Sequence, residues 1–77
     1  MDRKQIEEKI TAIIEAQIGV SDIDPSADLQ KKYEVDSIGV LDFIMTVEEE
    51  FSVTFLDKDL AEMKSVQDLA QRVQELM

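Results

Sequence analysis

Histidine and cysteine are both absent from this chain, so its reactive groups are carboxylates, amines, guanidinium groups and a few hydroxyls. Neither a Ser–His nor a Cys–His pair can form, which removes the common routes to an activated nucleophile. The only glycines are Gly19 and Gly39, so there is no glycine-rich loop to cradle a phosphate. Asp22, Asp24, Ser26 and Asp28 occupy positions 1, 3, 5 and 7 of a calcium-loop spacing. Ala27 stands where that loop needs glycine, Tyr33 where it needs a bidentate glutamate, and Pro25 lies inside it. We expect a solvated turn there and no metal site. No carboxylate pair stands apart for acid–base work. One serine remains, Ser37, directly after Asp36 and at the head of an apolar periodic run. Aspartate and serine both cap helix starts, because their oxygens accept the unpaired N–H groups of the first turn. Without an internal base, Ser37 is no catalytic nucleophile. It can serve as a cap, or it can be modified by another enzyme, since a helix start favours an attached phosphate.

The elements that position Ser37 follow from periodicity. Ile6, Ile10, Ile13, Ile14 and Ile18 recur at helical spacing and predict a helix over about 3–18, stopped by Gly19. Residues 19–35 hold no sustained period. Ser21, Asp22, Asp24, Pro25, Ser26 and Asp28 mark turns, while Val20, Ile23, Leu29 and Tyr33 could anchor the segment. A short helical turn fits around 29–33. The next helix should span about 37–51. At about 100° per residue it carries two apolar sectors. Val40, Phe43, Ile44, Val47 and Phe51 form a core face. Ile38, Leu41 and Met45 form a second sector edged by Asp42 and Glu49, either buried too or exposed as a strip beside acids. Residues 52–56 are β-like but have no partner strand, so an extended connection is expected. Asp57 could cap a short helix over about 57–63. Ser65 and Asp68 resemble a capping box before a last helix over about 66–76, with Val66, Leu69, Ala70, Val73, Leu76 and Met77 as its apolar set. The expected fold is all-α: a small four-helix bundle of three longer helices and one short one, with a long first loop.

Length allows one domain, residues 1–77, with a thin core, since a chain this short buries only about 60% of its unfolded surface. The 44% of apolar residues suffices for packed amphipathic helices. No apolar run suggests a signal peptide or a membrane span, which predicts a soluble, cytoplasmic protein; a monomer is expected. The net charge is −10, and residues 36–62, with eight acids and one base, carry −7 of it. Nucleic acid and anionic membranes reward the opposite sign; a basic protein surface is the natural complement.

Asp36-Ser37-Ile38, then Met45, then Glu48-Glu49-Glu50-Phe51 resembles the acyl carrier protein family, whose pattern is Asp-Ser-Leu followed by a helix ending in acids and Phe. The resemblance extends over the whole chain: its length, its acidity, the long first loop, Asp57-Lys58-Asp59 and Ser65-Val66. It implies that Ser37 carries a 4′-phosphopantetheine arm, donated by coenzyme A through a phosphopantetheinyl transferase using Mg²⁺. Asp36 would assist that transferase. The arm's thiol would hold acyl groups as thioesters for acyl-transferring and chain-extending enzymes with basic docking surfaces, and the protein itself would catalyse nothing. The family's docking positions fall on Ile38, Leu41, Asp42, Met45 and Glu49. A sheltering chamber for the acyl chain is expected near Val47, Phe51, Leu56 and Met63.

Three positions depart from the common pattern. Lys32-Tyr33-Glu34, followed by Val35, stands where housekeeping members read Asp-Leu-Gly; Gly39 takes a position that is often acidic; Phe55-Leu56 replaces a common Ile-Pro. These leave the attachment site intact. They leave fatty acid, polyketide and specialised lipid synthesis all open as roles. Two further readings stand beside them: an aminoacyl or peptidyl carrier, and an unmodified acidic helical adaptor for a basic partner.

Overall fold

The computed structural model describes residues 1–77. It is all-α, with five helices: α1 (Arg3–Ile18), α2 (Leu29–Lys32), α3 (Ser37–Phe51), α4 (Asp57–Glu62) and α5 (Val66–Leu76). The helix beyond the expected four is the single turn α2, which falls where the sequence allowed one. No helix is long and apolar enough to cross a membrane.

Each helix start is made locally. Asp2 accepts the Gln5 N–H at 2.8 Å while the Gln5 side chain accepts the Asp2 N–H at 3.1 Å, which closes a reciprocal cap on α1. Gly19 ends α1 with φ 71°, a conformation that costs glycine nothing. Asp28 caps α2 through the N–H groups of Gln30 and Lys31. Ser65 and Asp68 exchange bonds of 3.1 and 3.2 Å and open α5 as the capping-box spacing implies. At α4 the expected cap is corrected. Asp57 is the first helical residue, and Asp59 reaches back to accept the Leu56 N–H at 3.0 Å.

The core is built on α1 and α5, with α3 laid against α1. Ile6, Ile10 and Ile14 are fully buried, and they meet Val66, Leu69, Ala70 and Val73. Ile13 and Ile18 pack at its edge. Leu76 and Met77, expected on the apolar face of α5, are exposed instead. From α3 the core takes Phe43, Ile44 and Val47. Burying such side chains stabilises by roughly 1.5–3 kcal/mol each, so this face decides how α3 sits.

The long loop is anchored to the rest of the fold at three points and tied within itself by a fourth bond, which explains its length. Glu15 accepts the Ile23 N–H at 3.3 Å. The Tyr33 hydroxyl oxygen accepts the Asp24 N–H at 2.8 Å. The Pro25 carbonyl accepts from Gln67 at 2.9 Å, and the Lys64 carbonyl accepts from Leu29 at 2.8 Å. Asp24 also accepts the Ser26 N–H and hydroxyl and pairs with Lys32 at 3.6 Å. The bonds to Ser26, then the nearby Lys32, hold the Asp24 carboxyl below its ordinary range. The connection after α3 runs extended. Its Phe55 is buried, and the Phe55 N–H donates to Glu48 at 2.8 Å.

Candidate functional site

Ser37 is the first residue of α3. The cap belongs to its neighbour: Asp36 Oδ1 accepts the Gly39 N–H at 2.8 Å. The Ser37 hydroxyl is therefore not spent on capping, and the residue is exposed. Of the two residues whose oxygens could cap this helix, Asp36 is the one in use. Gly39 belongs to the same local arrangement. A Cβ there would lie 2.9 Å from Val35 Cγ1 and 3.4 Å from Asp36 Oδ1. The valine preceding the pair and the capping carboxylate fill the space that a longer side chain would need.

The two apolar sectors of α3 are separated by the fold. Val40 and Phe51 are half-buried at the margins of the core face. Ile38, Leu41 and Met45 are 72%, 48% and 59% exposed. Asp42 and Glu49 are exposed beside them. Of the three consecutive acids that close α3, Glu48 is occupied by Phe55 and Glu50 pairs with Lys9 at 3.3 Å. Glu49 alone keeps a carboxylate facing solvent without a partner.

An apolar cavity of about 300 Å³ opens beside Ser37, between α2, α3 and α4. Eight of its eleven lining residues are hydrophobic, among them Leu29, Val40, Leu41, Leu60 and Met63. That places it at the small end of ligand-sized cavities. Only Met63 of the four expected chamber residues borders it. Val47 is fully buried in the core, Phe51 is half-buried, and Leu56 is 52% exposed in front of α4. The cavity lies along the N-terminal half of α3, whereas the expected chamber lay toward its C-terminal end. At that end the Phe55 side chain is buried and the Phe55 N–H donates to Glu48.

The cavity wall formed by α4 is tied down by a buried charge. Asp59 is 5% exposed, caps Leu56 and pairs with Arg72 of α5 at 3.0 Å. The Leu56 N–H first, then Arg72, hold the Asp59 carboxyl below its ordinary range. Arg72, bonded to Asp59 and then to Glu75, is shifted up in turn. Nothing local in the sequence distinguishes Asp59 from Asp57.

The phosphopantetheine attachment site family matches residues 8–73. The chain is 34% identical over 71 residues to the acyl carrier protein of Thermosynechococcus vestitus, covering 90% of this chain and 88% of that one. It is 38% identical over 65 residues to that of Nitratidesulfovibrio vulgaris, covering 82% and 86%. Among solved structures, the acyl carrier protein of Thermotoga maritima superposes with a TM-score of 0.81 at 28% identity, over 99% of this chain and 91% of that one. That of Enterococcus faecalis superposes with a TM-score of 0.83 at 20% identity over the full length of both, a likeness of fold alone.

Proposed function

This chain belongs to the acyl carrier protein family, a non-enzymatic family that bears covalent 4′-phosphopantetheine, and from that premise we propose that Ser37 is the residue that bears it. The observation that carries the reading is the exposed Ser37 hydroxyl, left free by the Asp36 cap and opening beside an apolar cavity. Ser37 fits the group: its hydroxyl is reachable by a transferase, and the start of α3 offsets a phosphate's charge by roughly 0.3–1 kcal/mol. When attached, the arm supplies a terminal thiol that holds an acyl group as a thioester. The chain's own residues divide the remaining work. On attachment the Ser37 oxygen forms the new bond to phosphorus and gives up its proton, while the pyrophosphate linkage of coenzyme A breaks and adenosine 3′,5′-bisphosphate leaves. Asp36 keeps the helix start rigid and presents a carboxylate to the transferase's divalent cation.

Ile38, Leu41 and Met45, with Asp42 and Glu49, form the docking strip for partner enzymes with basic surfaces. Their exposure, and the freedom of both carboxylates from internal ion pairs, support that role. The partners are the transferase and the acyl-transferring and chain-extending enzymes of fatty acid, polyketide or specialised lipid synthesis. The cavity lined by Leu29, Val40, Leu60 and Met63 shelters the acyl chain, with Met63 kept from the residues expected to do so.

Incubation with coenzyme A, Mg²⁺ and a broad-specificity phosphopantetheinyl transferase, followed by intact-mass analysis, tests the proposal. The protein should gain one phosphopantetheinyl mass, and Ser37→Ala should gain none while melting normally. No gain in the intact protein, or a gain in the variant, overturns the assignment.

A further inference from the structure

Among the residues that line the cavity beside Ser37, one is a cation: Lys64. Its backbone is held on both sides. The Lys64 N–H donates to Asp68 at 3.0 Å, and its carbonyl accepts the Leu29 N–H at 2.8 Å. The side chain is not held. Arg3, Lys9, Lys32 and Arg72 are all in ion pairs, but no carboxylate engages Lys64. The chain carries −10, and acids outnumber bases eight to one over residues 36–62. Lys4, Lys31 and Lys58 are also unpaired, but none of them borders this cavity. Two other polar residues share the lining, Ser37 itself and Gln30.

An anion brought to this cavity would meet repulsion from the acidic surface of α3 and attraction from Lys64. We infer that Lys64 is the anion-holding residue of the cavity, positioning an anionic oxygen borne on Ser37. The inference rests on Ser37 carrying the arm. Two sources share this chemistry: the phosphodiester of the arm, and a carboxylate at the far end of an acidic acyl group such as succinyl. Lys64 is a compact charge on a flexible stem and suits either. Its effect is a positioning one, and the attachment step does not depend on it.

The test uses the full chain loaded with the bare arm, with a butyryl group and with a succinyl group, which match in length but differ in the carboxylate. Intact mass first shows that loading has occurred. Melting temperatures and the NMR shift of the lysine ammonium are then compared for the unchanged chain, Lys64→Met and Lys58→Met. Methionine keeps the aliphatic stem, and Lys58 controls for net charge. Lys64→Met should reduce the stabilisation gained on loading by a few degrees relative to the unchanged chain, and Lys58→Met should not. A loss already present with the bare arm assigns the phosphodiester. A loss confined to the succinyl form assigns the cargo's carboxylate. Equal stabilisation by loading in all three chains, with an unmoved Lys64 signal, overturns the inference. A chain that takes no arm overturns the carrier reading and this inference with it.

Discussion

Shortening Met63 to alanine separates the observed cavity from the chamber expected near the end of α3. Met63 is 8% exposed and borders a cavity of about 300 Å³ beside Ser37. Truncating a buried methionine to alanine costs about 2–5 kcal/mol. Met63 already faces open space on one side, so it makes fewer contacts than a fully enclosed residue, and about 2 kcal/mol is expected. For a domain of this size each kcal/mol moves the melting temperature by about 4–8 °C, so the arm-free variant should melt about 8–16 °C lower. It should still fold, since total stability for a chain this long is roughly 4–12 kcal/mol. Acyl cargo should then return part of the loss, because each methylene withdrawn from water contributes about 0.8 kcal/mol. The assay is a set of thermal melts of the unchanged chain and the variant, each loaded with short, medium and long acyl groups. The unchanged chain should gain stability with chain length and level off where overfilling begins to cost about 1–3 kcal/mol. Met63→Ala should start lower and keep gaining to longer chains. Leu56→Ala is the comparison. Leu56 is exposed and does not border the cavity, so its melting curve should move by less than about 0.5 kcal/mol and its chain-length profile should not change. Melting temperatures indifferent to chain length would refute shelter in this cavity. An altered profile in Leu56→Ala and not in Met63→Ala would restore the chamber at the other end of α3.

Three further outcomes are expected. Met45→Lys and Glu49→Lys should weaken binding to basic partner enzymes while leaving the melting temperature nearly unchanged, since both side chains are exposed. The charge contribution should also fade at high salt, where the screening length falls toward about 3 Å; binding measured across salt concentrations checks this. Asp59 has a depressed carboxyl pKa in the folded state. Its stabilisation is therefore present above the unfolded value of about 3.9 and is lost as pH falls through the lower folded value. Asp59→Asn should be less stable at neutral pH and should show a shallower loss of stability in acid, read from denaturant melts between about pH 6 and pH 2. Gly19→Ala should cost about 1–2 kcal/mol through backbone strain alone, because φ there is 71° and an added Cβ meets nothing within 4 Å; denaturant melts check this figure.

Much of the architecture was legible in the residues because it is decided locally. The span of α3, the stop at Gly19 and the Ser65–Asp68 cap each depend on groups within a few positions of one another. The same holds for the reactive inventory: a chain without His or Cys excludes the usual nucleophile pairs whatever its fold. Family membership was also legible, since the Asp36-Ser37 pair and the acids closing α3 stand in linear order. The α4 cap was not legible, because Asp57 and Asp59 are equivalent in a local pattern. Only the approach of Arg72 from α5 marks which of them is buried.

The sequence by itself determined which residues are apolar and at what period, and so determined the helices, their core faces and the place of Ser37 at a helix start. It did not determine which apolar sector of α3 meets solvent, which of Glu48, Glu49 and Glu50 stays free, or where packing leaves a gap. Those were decided by α1 covering only one face of α3, by Lys9 and Phe55 each taking one acid, and by α2 and α4 standing apart beside Ser37. The physical reason is one of range. Periodicity and capping are properties of a few adjacent residues, whereas a cavity or a free carboxylate is what remains after every distant neighbour has taken its place.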